Sequence, residues 1–215
     1  VAYVDIDAHH ADGVAAGFDS DPDTLLISIH EQDRWPRTGH IGEVGVGNMI
    51  NMPMPRGCND DEMALVREAV ILPAIAQFAP DAVVLQCGAD AVLEDPQSRM
   101  ALSNNAHWAV VAALRGMSPR YLVMGGGGYN PWSVGRLWTG VWATLNRKDI
   151  PDVLPTEAQD VLRDLHWKGP MGEKFAKAHW VTTLRDAPRN GPISAEVSER
   201  VAQIAARLPL ASSAP

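Results

Sequence analysis

The sequence predicts an α/β domain: a mainly parallel sheet with helices on both faces. Three observations lead there. Strand-like apolar runs alternate with capped helical stretches along the chain. The runs are apolar almost throughout, as suits strands buried on both faces. Acids, histidines and glycines gather just past the ends of these runs, where open α/β sheets place their chemistry.

Taken in order, Val1-Ala-Tyr-Val-Asp-Ile-Asp7 reads as a first strand, β-branched and aromatic from its first residue. A short helical or turn segment follows near Asp12 to Phe18, ended by Asp19-Ser-Asp-Pro-Asp23. Thr24 to His30 is a second strand, and Gln32 to Asn48, rich in Gly, Pro, Arg and His, is a long loop of the functional or mobile kind. Ile50 to Met54 is a short strand that Pro53 confines to an edge or a strand end. Asn59, with Glu62 three residues on, starts a helix toward Phe78, kinked or broken at Pro73. Ala82 to Cys87 is a third core strand. Ser103 caps a helix across Ala106 to Leu114, and Tyr121 to Met124 is a fourth strand, ending in four glycines. Trp132 to Leu145 is helical, and its Trp132, Trp138 and Trp142 read as core residues. Thr156-Glu-Ala-Gln159 reads as a capping box for a helix toward His166, and Ser194 opens a last helix through about Arg207.

The 215 residues suit one domain. Eighteen Lys and Arg against 26 Asp and Glu leave a net charge of −8 with no basic run, which argues against nucleic acid as a partner. No apolar run approaches the ~20 residues that span a bilayer. Two cysteines, Cys58 and Cys87, make no disulfide framework, so a cytoplasmic home is expected.

Three clusters carry chemistry. In an extended segment, residues two apart share a face, so Asp5, Asp7 and His9 converge as candidate ligands of a divalent metal; the alternative is a polar strand end with Asp12 capping a helix. Asp90, after Gln86-Cys-Gly-Ala, either completes an Asp/His/Asp set with positions left open, as catalytic zinc sites do, or is a turn residue. Gly125 to Gly128 allow positive φ and close approach to a ligand, and Tyr129 presents a hydroxyl to an oxyanion or packs on a neighbour. The loop lacks the Lys-Ser/Thr of a phosphate-binding P-loop and the spacing of a dinucleotide fingerprint.

Asp5-Ile-Asp-Ala-His-His-Ala-Asp-Gly13, Ile27-Ser-Ile-His30, Trp35-Pro-Arg-Thr-Gly39, Leu85-Gln-Cys-Gly-Ala-Asp90 and Gly125-Gly-Gly-Gly-Tyr-Asn130 occur in one order. In this the chain resembles the zinc-dependent histone deacetylase family, most of all its bacterial acetoin-utilisation deacetylase-like branch, over about residues 1–165. The resemblance implies the arginase/deacetylase three-layer α/β/α fold with an eight-stranded parallel sheet. It implies zinc, or Fe2+, on Asp7, His9 and Asp90, and Tyr129 as stabiliser of the tetrahedral oxyanion. It further implies a structural potassium held by Asp5, backbone oxygens of Asp7 and His9, Ser28 and Ile29. Asp5 and Asp12 would orient a pair of catalytic histidines, and Trp35, Gly127 and Gln97 would line the acyl-lysine tunnel or its rim. Ala11 replaces the glycine usual in the first motif.

The substrate so implied is an acetylated lysine in a protein or a small acetylated amine, with neither nucleic acid nor membrane as partner. An arginase-like ureohydrolase needs two acids spaced Asp-x-Asp, and Gly88 stands at the earlier position. The paired histidines expected upstream of the first motif have no counterpart in these residues, and His30, His40, His107, His166 and His179 lie outside that context. The expectation is therefore a C-terminal part of a deacetylase domain over 1–169, an extension with a terminal helix over 170–215, an exposed apolar sheet edge, and metal binding with impaired hydrolysis or a catalytically silent remnant.

Overall fold

A computed structural model describes residues 1–169, 172–174 and 176–208. Five strands, β1 (Ala2–Asp5), β2 (Leu25–Glu31), β3 (Met49–Met54), β4 (Ala82–Gln86) and β5 (Arg120–Met124), form one sheet in the order β3-β2-β1-β4-β5. Every pairing in it is parallel. The chain winds outward from β1 to β3, then crosses back to β4 and β5. The direction of winding therefore reverses between β1 and β4, and a crevice opens there at the carboxyl ends of the strands. All seven residues of β2 are buried, as its apolar run requires. Among the described residues β3 is an edge strand, where Pro53 is tolerated.

The helices follow their caps. The short α1 (Asp12–Phe18) leads from β1 toward β2. Asn59 Oδ1 accepts from the N–H groups of Asp61 and Glu62 while Glu62 returns a bond to Asn59 N, a complete capping box for α2 (Asp60–Val66). The break expected at Pro73 appears just before it, as a π turn over Arg67–Ile71 leading into α3 (Leu72–Phe78). Proline lacks the N–H that an unbroken α-helix would use, and the wider turn absorbs the mismatch. Ser103 caps α4 (Asn104–Leu114), and Asn130 caps α5 (Pro131–Leu145) with Pro131 at its first position.

Some expectations need correcting. The helix α6 (Thr156–Arg163) has no capping box: Pro155 is its N-cap, and Gln159 instead turns its amide to the Leu154 carbonyl. The ribbon of β6 (Trp167–Gly169) and β7 (Gly172–Lys174) and the one-turn α7 (Ala178–Thr182) had no sequence signal long enough to stand out. Of the three α5 tryptophans read as core, only Trp132 is fully buried; Trp142 is 59% exposed, because one side alone of α5 packs inward. Against the eight strands implied, the described residues form five in the main sheet. Among them β5 has a strand on one side only, and Leu122 and Met124 are exposed there.

The helix α8 (Ala195–Ala205), capped by Ser194, sends Val197, Val201 and Ile204 into the same core as β1, β2 and β4. A buried ion pair from Arg136 to Asp186 (2.7 Å) and the stacking of Trp180 on Trp132 hold the preceding segment on the body. Of the expected extension, residues 170, 171, 175 and 209–215 lie outside the described ones. No helix among the described residues is long and apolar enough to cross a membrane. Cys58 and Cys87 are free and buried.

Candidate metal centre

The crevice between β1 and β4 collects the acids. Beyond Asp5 one further bond, from Ile6 N to the Gln86 carbonyl, prolongs the pairing. The chain then bends through Asp7, Ala8 and His9, with Asp7 N on Asp5 Oδ1 and His9 N on Asp7 Oδ1. Asp90 arrives from β4, and its Oδ1 accepts from Ala8 N at 2.8 Å. His9 Nδ1 then stands 2.9 Å from Asp7 Oδ1 and 2.9 Å from Asp90 Oδ2. One ring nitrogen carries at most one proton and cannot satisfy both carboxylates. Asp90 Oδ2 is buried and accepts no hydrogen bond, although it lies within ion-pair distance of His9. Two carboxylates and an imidazole nitrogen aimed at one point, with one oxygen orphaned, fit a divalent cation such as zinc.

Electrostatics agree with the geometry. Burial pushes Asp90 upward, and burial pushes Asp5 up to about 8. Hydrogen bonds to Asp7 and then Asp90 raise His9 to about 10. Burial works against ionisation of Asp7, but bonds from His9 and Gln86 outweigh it and keep Asp7 below the usual carboxylate range. The cluster thus holds protons that a metal would displace. Asp7 Oδ2 is fixed by Gln86 Nε2 (3.0 Å) and by Gly127 N (2.8 Å).

The glycines serve mainly close approach. Only Gly128 of the four has positive φ. A Cβ on Gly127 would overlap Asp90 Oδ2, and one on Gly126 would overlap Gln86 Nε2. A Cβ on Gly88 would overlap Asp7 Oδ2, so a second acid for a two-metal ureohydrolase site has no room there.

Tyr129 follows this loop and is about half exposed; its backbone N donates to Asp95 Oδ2 at 2.6 Å. Burial, Asp90 and Asp7 raise its phenol above the ordinary value, so it remains a hydrogen-bond donor at neutral pH. Trp35 is 71% exposed and meets the His9 ring edge-on at 6.4 Å. It lines, with Gln97, a cavity of about 390 Å³ that opens at His9.

Asp5 is buried, accepts from Asp7 N and Tyr3 Oη, and pairs in register with Ser28. Ile29 is buried beside it. Ser28 Oγ accepts from Ala11 N and contacts His30 Nδ1 at 3.0 Å. Asp12 lies apart, exposed and bonded to its neighbour Gly13 N. The His10 and His30 rings lie 4.9 Å apart at a tilt of 56°, with His10 on Thr38 and His30 on the Gly39 carbonyl. Sequence reasoning passed over Gln86 and Asp95. Gln86 was detectable, since it is the last residue of β4, at the carboxyl end where the site lies. Asp95 lies in an irregular loop without such a marker.

Residues 1–145 match the histone deacetylase domain family. The chain is 37% identical over 157 residues to putative histone deacetylase 2 of Caenorhabditis elegans, covering 69% of this chain and 31% of that one. It is 38% identical over 160 residues to histone deacetylase 19 of Arabidopsis thaliana, covering 72% and 32%. The crystal structure of an HDAC homologue from Aquifex aeolicus superposes with a TM-score of 0.87 at 29% identity, covering 95% of this chain and 56% of that one. The chain thus spans about a third of the curated relatives it matches and about half of that structure. A matching family domain over two thirds of the residues, on the fold of an HDAC homologue and with the acids and histidine of its motifs gathered in one crevice, places the chain in the histone deacetylase family.

Proposed function

We propose that this chain carries the metal site of a deacetylase that hydrolyses the acyl amide of an acetylated lysine or a small acetylated amine. The observation that supports it most is the convergence of Asp7 Oδ1, His9 Nδ1 and Asp90 Oδ2. These residues would hold zinc, and a bound zinc lowers the pKa of its water and polarises the acyl carbonyl. Gln86, Gly127 and Ala8 keep the carboxylates aimed at that point through the hydrogen bonds they donate. Tyr129 donates its phenolic proton in a hydrogen bond to the oxygen that gains charge as the carbonyl is attacked. Asp95 fixes the backbone from which Tyr129 projects. Trp35 and Gln97 flank the substrate at the mouth, and Gly127, lacking a side chain, leaves the inner wall open. Asp5 is buried without a cationic partner among the described residues, which supports a potassium ion held with Ser28 and Ile29.

The cavity that opens at His9 has no other histidine in its lining. The acids in that lining, Glu31 and Asp33, stand among arginines. No imidazole besides His9 is therefore placed there to take the proton of the attacking water, and turnover by these residues alone is expected to be weak. Acetate release from an acetyl-lysine peptide tests the reading. Activity should vanish in Asp90→Ala and fall about 10²–10³-fold in Tyr129→Phe. Undiminished activity in Asp90→Ala would overturn it.

A further inference from the structure

The chain carries a charge of −8, yet the cavity at its metal cluster is lined by four arginines, Arg34, Arg37, Arg56 and Arg99, against two acids, Glu31 and Asp33. Glu31 is 1% exposed and anchors this group from below. It accepts from Arg34 Nε at 2.9 Å and Nη2 at 3.1 Å, and from Arg99 N at 2.7 Å, with Arg56 Nε 3.6 Å away. One buried carboxylate therefore serves three residues. Arg37 and Arg99 are exposed, and neither guanidinium forms an ion pair with a carboxylate among the described residues. The loop that presents Arg37 holds it at φ 68° and Asp33 at φ 58°, a left-handed conformation that side chains adopt at a cost and that clusters at functional sites.

We infer that these arginines form an anion-binding subsite at the mouth of the metal site, selecting an acyl-lysine flanked by acidic residues. The inference rests on the proposed deacetylase reading and names its substrate class. Arg37, Arg56 and Arg99 are exposed at the rim, so they reach groups beside the acyl-lysine stem rather than the acyl group at its tip. Guanidinium forks bind carboxylates through paired, charge-assisted hydrogen bonds. A locally positive mouth on an acidic protein also steers an acidic peptide to this end of the molecule and away from the rest of its surface.

The test uses zinc-loaded protein and binding alone, so it does not depend on turnover. Peptides whose central lysine carries a metal-binding hydroxamate in place of its acetyl group are compared with flanking Asp, Asn or Lys. Binding is followed by anisotropy of a labelled peptide. At low salt the Asp peptide should bind about tenfold tighter than the Asn peptide and tighter still than the Lys peptide, with the gap shrinking near molar salt. In R37G/R99Q the Asp-over-Asn ratio should collapse toward one, and in R99E the Lys peptide should gain. Equal binding of Asp and Asn peptides, or a ratio unchanged in R37G/R99Q, would overturn the subsite and leave the metal-site reading intact. Failure of every hydroxamate, including a small neutral one, would remove both. A small hydroxamate ending in a carboxylate that gains as much as the Asp peptide would overturn the peptide as source.

Discussion

Gly127 donates its backbone N–H to Asp7 Oδ2 at 2.8 Å across 120 residues of sequence, tying the glycine loop after β5 to the end of β1. The same glycine leaves room for Asp90 Oδ2, which a Cβ would overlap. Gly127→Ala should therefore displace a ligand without touching the core. Zinc affinity is expected to fall about 10–100-fold while the far-ultraviolet circular dichroism spectrum is kept, measured by competition with a chromophoric chelator.

Gln86 holds Asp7 from the other side, and its Oε1 accepts from Gly88 N at 3.0 Å. Gln86→Leu removes both bonds at similar volume. A loss of about tenfold in zinc affinity is expected, with the stoichiometry of binding unchanged.

The ion pair between Arg136 and Asp186 is buried on both sides, and Asp186 Oδ2 also accepts from Asn104 N. Asp186→Ala strands the guanidinium and should cost about 3–5 kcal/mol in urea unfolding. Arg136→Met combined with Asp186→Leu should cost less than Asp186→Ala alone, since no charge is left buried.

Burial, reinforced by the neighbouring His10, depresses His30 from 6.5 to about 4; the Gly39 carbonyl, Ser28 and Glu43 pull the other way and do not restore it. The unfolded chain therefore takes up this proton first as pH falls, and the folded chain only near pH 4. The His30 share of stability should drop by about 3 kcal/mol between about pH 6.5 and about pH 4. It is read as the difference in urea midpoints between the native chain and His30→Asn across that range, because Asp5, raised to about 8, slopes the other way.

Much of this was legible because strand ends carry short-range patterns. Residues two apart share a face, which brings Asp7 and His9 together at the end of β1. Asp5, read with them, stands outside the cluster of Asp7, His9 and Asp90. The Asn59 capping box follows from four residues. What sequence could not supply was contact between distant elements. Gly127 on Asp7, Gly88 against Asp7, and Arg99 on Glu31 each join loops with no periodicity. Trp142 was misread because an apolar stripe on α5 says which residues are hydrophobic, not which side of the helix is covered. Gln159 had two uses for its amide, and the turn at Pro155 decided between them.

The account stands on one metal held by three residues. Titration of the apoprotein with zinc, followed by calorimetry and by direct metal analysis, measures this directly. It predicts one zinc per chain at the cluster, with that site abolished in Asp90→Ala and in His9→Ala. Two zinc ions held with similar affinity, or a single site that survives Asp90→Ala undiminished, would contradict it.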